Sequence, residues 1–253
     1  LELEWYIILA LVGTGVAAGF INTTAGGGSM LSIPLLMFIG LPANVANGTN
    51  RIAIVLQNIV AVSTFRKKKI IDLKTDYRLA LPAIVGAIAG AFIAVEINVD
   101  LLKNVIAGLM VVMLFVVVLK PEAWVKEKAG KVHAKPSLLQ YVIFFFVGVY
   151  GGFIQMGIGF FMLAALVLGA GFDLVKANAI KVFIALLYTI CALAIFFYHK
   201  QVDVVAGLIL AVGNMIGAWL GVHFQVKGGA KYVRYVLIGA MVIVILNLLG
   251  VFG

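Results

Sequence analysis

The sequence predicts an all-α polytopic membrane protein made of two inverted-topology repeats, each with a broken, re-entrant helix hairpin. Three observations carry that expectation: an apolar composition, an internal echo at an offset near 130 residues, and a one-sided distribution of basic residues. Hydrophobic residues fill 64% of the 253 positions and charged residues 11%, with a mean hydropathy of +1.17, far outside the range of soluble domains. The apolar runs approach or exceed the ~20 residues of a membrane helix and lack the alternation of membrane strands. The net charge of +9 lies between apolar segments, where topology and anionic lipid explain it better than nucleic acid. Cys191 stands alone, which excludes an intrachain disulfide and a cysteine metal site. The opening LELEWYIIL lacks a basic n-region and reads as the start of a first membrane helix.

The first apolar block, Trp5 to Gly40, would extend roughly 50 Å as one helix, too long for a single crossing. It breaks at INTTAGGGSM, residues 21–30, leaving only about 11 residues, Leu31 to Leu41, before the turn LPAN. The expected result is a hairpin with its tip at membrane depth, or a full helix followed by a half helix. Further apolar runs lie at Ile52 to Phe65, Leu79 to Val95 and Leu101 to Leu119, followed by the hydrophilic KPEAWVKEKAGKVHAKP, residues 120–136.

The pattern then recurs. GFIN (19–22) returns as GFIQ (152–155), VANGTN (45–50) as KANAIK (176–181), KKIID (68–72) as HKQVD (199–203), and LLKNVIAG (101–108) as YVRYVLIG (232–239). The order is kept, which divides the chain into a first transmembrane repeat, 1–119, a linker, 120–137, and a second repeat, 138–253. Five crossings per half place the loops 66–78, 170–181 and 225–234 and the linker on one side, with 16 of the 19 Lys and Arg residues. Arg51, Lys103 and Lys200 fall on the other. That bias marks a cytoplasmic face, so the halves are expected to be inverted, the linker cytoplasmic and both termini outside.

The second-half counterpart of INTTAGGGSM is IQMGIGFFM, residues 154–162. Non-helical backbone survives at membrane depth only where protein or water covers it, and two inverted tips would meet near the midplane, as in secondary transporters whose broken helices bind anions. Glycine permits close approach of a ligand to backbone amides. Candidate binding residues are therefore Asn22, Thr23, Thr24, Gly26, Gly27, Gly28 and Ser29, facing Gln155, Gly157 and Gly159. Close helix packing is the competing reading of the glycines.

A second polar cluster, Asn47, Thr49, Asn50 and Arg51, is matched by Asn178 and Lys181, with Asn50 aligned to Lys181. Arg51 and Lys181 are candidates for attracting the anion, against snorkelling to the interface. Gln57 and Tyr188 occupy matching positions one or two turns deeper. His223, Asn214, Glu96 and Asp100 read as interfacial or structural, and His133 and His199 as solvated. There is no HExxH, P-loop, GxSxG or dense Cys/His set, so no catalytic, metal or cofactor site is expected.

GFINTTAGGGSMLSIPLLMFIGLPANVANGTNR, followed by FRKKKIID and the weaker GVYGGFIQMGIGFF, resembles the signature of the TauE/SafE sulfite exporter family, also called toluene sulfonate uptake permeases. The resemblance covers nearly the whole chain. It implies a prokaryotic inner-membrane carrier of sulfite, thiosulfate, sulfoacetate or related organosulfonates without a bound cofactor, and a homo-oligomer is compatible with it. The family's conserved stretches fall at Asn22 to Ser29, Pro34, Gly40 to Pro42, Ala46 to Asn50 and Gly152 to Gly159. Phe160 and Phe161 stand where the first half has glycines, so the tips differ. The expected function is secondary transport of a small sulfur-containing anion by alternating access. An anion channel is the alternative, and a membrane-embedded enzyme using His223 and Glu96 a more distant one.

Overall fold

The computed structural model describes residues 4–71, 78–106, 108 and 136–248, the last 21 of them (228–248) as backbone only. Every element among them is helical: α1 Trp5–Thr24, α2 Ser29–Phe38, α3 Ala43–Lys67, α4 Ala80–Glu96, α5 Leu138–Phe153, α6 Ile158–Ala164 continued by a π turn at Ala165–Gly169, α7 Leu174–Tyr198, and α8 Val204–Leu248. A further helical stretch occupies 99–106. The expected run Leu101 to Leu119 and the linker 120–137 lie largely outside the described residues, as does His133.

Local chemistry sets the boundaries. Ser137 and Gln140 form a reciprocal capping box at the start of α5, and Asp173 Oδ1 accepts from the amides of Val175 and Lys176 at the start of α7. Left-handed residues end the helices: Gly26 (φ 95°) and Gln155 (φ 68°) after α1 and α5, Gly40 (101°) and Gly171 (76°) after the short second helices, Lys69 and Lys200 (both 57°) after α3 and α7. Each pair lies about 130 residues apart, so the echoes in the sequence recur as the same turn chemistry.

Two differences from the sequence reading concern length. The apolar run Ile52 to Phe65 is only the deeper part of a 25-residue helix, because the polar ANVANGTN is helical too and turns its side chains inward. The loop expected at 225–234 is instead part of one continuous helix; QVKGGAKYVR holds two glycines but no proline, and nothing in it removes an i→i−4 bond. Three segments are long and apolar enough to cross a membrane, namely α1, α7 and Val204–Lys227 of α8. Large apolar side chains such as Leu81, Val85, Phe146, Val205 and Trp219 are exposed on outward faces, where lipid would contact them. Together these make the chain an integral membrane protein.

Small residues bring the helices together. Gly15 and Gly19 of α1 lie against the backbone at Leu210, Gly213 and Asn214 of α8, and Gly213 and Gly217 lie against Val12, Val16 and Phe20. The register rises together, so α1 and α8 run parallel. Gly86 and Gly90 of α4 pack in the same manner on Phe145 and Val149 of α5, with Gly148 and Gly152 on Ala83 and Ala87. Helices α3 and α7 cross between these two pairs. Gln201 Nε2, in the α7–α8 turn, donates to the carbonyl of Val95 at the end of α4 (2.9 Å), and the Asp203 amide donates to Thr49 Oγ1 near the start of α3 (2.8 Å). At the opposite end Gln140 Nε2 donates to the Gly169 carbonyl (2.9 Å). Thus α4 ends where α8 begins, and α1, parallel to α8, runs opposite to α5.

The glycine contacts generate a paired test. A Cβ at residue 19 would stand 2.7 Å from the Asn214 Cα, whereas one at Gly13, on the same helix, would meet nothing within 4 Å. Gly19→Ala should therefore destabilise the protein by about 1–3 kcal/mol, and Gly13→Ala should stabilise it by up to about 1 kcal/mol. Thermal unfolding of the two variants in the same detergent reads the difference.

Candidate functional site

The two tips meet. Gly26, left-handed at the end of α1, packs against Gly159 in the first turn of α6, and the Gly159 amide donates to the Gly26 carbonyl (3.2 Å). A side chain at either position would run into the other's backbone, so glycine is required here by close approach. Gly28 packs on the Ala18 carbonyl and Asn22, which turns α2 back along α1, and Gly27 lies beneath the Phe160 ring. Gly157 (φ 68°) begins α6. The three consecutive glycines all lie at close packing contacts, and among the described residues the amides of Gly27 and Gly28 have no hydrogen-bond partner.

Breaking a helix inside a membrane protein leaves the last carbonyls of α1 and α5 without intrahelical partners. Each set is satisfied from the other half. Arg51 Nη1 donates to the Gly151 carbonyl (3.1 Å), its Nη2 to that of Gly152 (2.6 Å), and Asn47 Nδ2 to that of Phe153 (2.7 Å). Reciprocally, Lys181 Nζ donates to the carbonyls of Asn22 (2.9 Å) and Thr23 (3.3 Å), and Asn178 Nδ2 to that of Thr24 (2.9 Å). In each half the cation also donates to its neighbouring asparagine, Arg51 to Asn47 Oδ1 and Lys181 to Asn178 Oδ1. A cation at a helix C-terminus opposes the negative end of the dipole as well as satisfying carbonyls. Arg51, one position beyond the Asn50 that aligns with Lys181, thus plays the capping role of Lys181. Asn50 instead ties α3 to α2, accepting from Ser32 Oγ (2.6 Å) and donating to Ser29 Oγ (3.2 Å).

Arg51 is 0% exposed and Lys181 3%, so both lie inside the bundle and not in the loops to which the charge pattern assigned them. Neither snorkels. The Arg51 guanidinium stacks 4.4 Å over the Phe196 ring, and its Nε has no protein partner.

A small cavity lies beside the tips. About 20 Å³ of it can hold the centre of a water molecule, room for about one water. Its polar wall is Asn22, Ser29, Gln57, Asn58, Gln155 and Lys181, with Tyr188 and the Gly159 backbone; Ile54, Ile158, Met162, Val182 and Ala185 complete it. Gln155, itself left-handed, donates from Nε2 to Thr189 Oγ1 (2.7 Å), and its Oε1 is buried without a partner. Gln57 Nε2 donates to Asn58 Oδ1 (3.2 Å), leaving Gln57 Oε1 and Asn58 Nδ2 unpartnered.

Of the residues singled out from sequence, Asn22, Ser29, Gln57, Gln155, Gly159, Lys181 and Tyr188 are brought together here. Arg51, Asn47 and Asn178 serve the tips from behind. Thr24 Oγ1 bonds back to Phe20 (2.7 Å), Thr49 receives Asp203, and Thr23 Oγ1 is buried without a partner. Asn58 is the cavity residue the sequence reading missed; two adjacent amides within the apolar VLQNIV were its signal. His223 lies on the outer part of α8 against Trp219 (centroids 4.3 Å apart), and Glu96 is exposed, so neither is near the cavity.

The chain is 27% identical over 249 residues to a probable membrane transporter protein, ORF9, of Sinorhizobium sp, covering 98% of this chain and 95% of that one. It is 29% identical over 222 residues to the probable membrane transporter protein YfcA of Escherichia coli K12, with coverage of 87% and 81%. A probable membrane transporter protein of Haemophilus influenzae is 25% identical over 233 residues, at 90% and 89% coverage. No solved structure matches. The family model for the sulfite exporter TauE/SafE matches residues 11–248, and the chain belongs to that family.

Proposed function

We propose that this protein is a secondary transporter of a small sulfur oxyanion or organosulfonate, which it exposes to the two sides of the membrane in turn from the cavity beside the crossed tips. The observation that carries this reading is a small cavity of mixed polar and apolar lining with a lysine in its wall and, among the described residues, no carboxylate. A buried cation without a neighbouring carboxylate favours an anion as its counter-ion. The transporter relatives and the family's name as a sulfite exporter agree with that class.

The same reading takes the halves as inverted repeats, 1–119 and 138–253, placed in a prokaryotic inner membrane with the linker inside and the N-terminus outside; the continuous α8 removes the loop at 225–234 on which the expected outside placement of the C-terminus rested. Its support is the opposite run of α1 and α5, the reciprocal capping of the tips, and the left-handed turns recurring about 130 residues apart. A carrier is favoured over a channel because the tips touch at Gly26 and Gly159, and the cavity is too small for an oxyanion until they part. Lys181 supplies the attracting charge here. Both cations are held by helix-end carbonyls, and place separates them: Lys181 lines the cavity wall and Arg51 does not, so Arg51 is assigned to structure alone.

Purified protein in liposomes should show saturable sulfite flux accelerated by sulfite on the opposite side; linear, unsaturated flux without counterflow would replace the carrier with a channel. Two substitutions separate the cations. Lys181→Met should weaken sulfite binding at least about tenfold, through loss of the positive charge in the wall, and should also lower stability, because Lys181 Nζ caps the carbonyls of Asn22 and Thr23. Arg51→Met should cost about 2–4 kcal/mol of stability, through buried carbonyls left unpaired, while folded protein at low temperature keeps its affinity. Calorimetric titration and thermal unfolding of both variants check the assignment.

A further inference from the structure

From the hydrogen-bonding inventory of the cavity we infer that the transported species keeps a proton: the site takes a monoanion that also donates a hydrogen bond, such as hydrogensulfite, in preference to a bare oxyanion. This rests on the cavity being the anion site, and adds the protonation state of its ligand.

Two independent features lead there. The first is charge. Lys181 is the cation of the cavity wall; Arg51 lies behind the tip, with its terminal nitrogens on the carbonyls of Gly151 and Gly152. Three acceptors, the carbonyls of Asn22 and Thr23 and Asn178 Oδ1, surround Lys181 Nζ, a set that only an ammonium group with three N–H bonds can fill. The wall itself thus carries one positive charge and, among the described residues, no carboxylate, which suits one negative charge at that wall.

The second feature is the amide pair. Gln57 and Asn58 are each 1% exposed, line the cavity and bond to one another (3.2 Å). That bond consumes one donor group and one acceptor, leaving Gln57 Oε1 and Asn58 Nδ2 free. Reversing both amides frees Asn58 Oδ1 and Gln57 Nε2 instead. Either way this pair keeps one unpaired acceptor and one unpaired donor, beside the hydroxyls of Ser29 and Tyr188 in the same wall. A bare oxyanion satisfies the donor but turns lone pairs toward the acceptor, which then stays buried and unpaired. An anion bearing an O–H satisfies both. Gln155 adds a third free amide atom, Oε1 as placed or Nε2 if reversed.

The test compares anions of equal charge on the whole purified protein. Hydroxymethanesulfonate and methanesulfonate are both monoanions, and only the first carries an O–H. Hydroxymethanesulfonate should bind at least about tenfold tighter, the discrimination of a site built to pair a hydroxyl. In Gln57→Leu/Asn58→Leu that preference should vanish. Affinity for total sulfite should fall about tenfold per pH unit above its second ionisation, while methanesulfonate, with no proton to lose, reports any titration of the groups around the cavity: Lys181 and Tyr188 on α7, Arg51 on α3 and Tyr150 on α5. Equal affinities for the two sulfonates, or sulfite affinity that follows methanesulfonate across pH, would overturn the inference and make a bound water the partner of the amide acceptor. If Lys181→Met leaves sulfite binding untouched, the cavity is not the anion site, and both readings fall together.

Discussion

Helix carbonyls that end inside a membrane protein must find donors, and the structure depends on how that demand is met. Helices α1 and α5 each stop at a tip where water is scarce, and an unpaired buried carbonyl costs on the order of 1–3 kcal/mol. The donors come from the other half: Arg51 and Asn47 for α5, Lys181 and Asn178 for α1. Neither half is complete without its partner. This reciprocity also offsets part of the cost of burying two cations where, among the described residues, no carboxylate faces them, through the negative ends of the helix dipoles and their carbonyls.

Close packing follows from the same geometry. The donors reach the tips only if α3 and α7 lie near both halves, and that approach relies on glycine where helix backbones nearly touch. Gly15, Gly19, Gly213 and Gly217 serve one parallel pair, and Gly86, Gly90, Gly148 and Gly152 the other. Without a hydrophobic force between helices in lipid, such small-residue contacts and the polar bonds they permit are the main source of cohesion.

The two tips and the helices behind them differ in their side chains. Gly27 carries no side chain, and the Phe160 ring of the opposite tip covers it. Of the two cations, only Lys181 reaches the cavity wall; Arg51 is held by two carbonyls and an aromatic face. Gln57 and Tyr188 stand at matching depths on α3 and α7 but offer different chemistry, an amide and a phenol. The pocket is therefore asymmetric in chemistry, with one lysine and unlike side chains at matching depths.

The sequence by itself determined the membrane class, the two-fold echo, the breaks at residues 21–30 and 154–162 and the polar character of their surroundings, because composition, turn glycines and repeated motifs are local properties. It also brought Asn22, Ser29, Gln57, Gln155, Gly159, Lys181 and Tyr188 into consideration, since a polar residue within an apolar run is visible one residue at a time. What it left undecided was pairing. Whether Arg51 faced a ligand, the lipid interface or a distant carbonyl depended on which helix end lay opposite, more than 100 residues away in sequence. Asn58 looked no different from a packing amide until α3 and α7 placed it on a cavity wall. Glycines 26 to 28 read as one flexible stretch, and tertiary contacts gave each a separate neighbour: another glycine, a phenylalanine ring and the preceding helix. Burial and partner choice are properties of the assembled bundle, so only the tertiary structure could decide them.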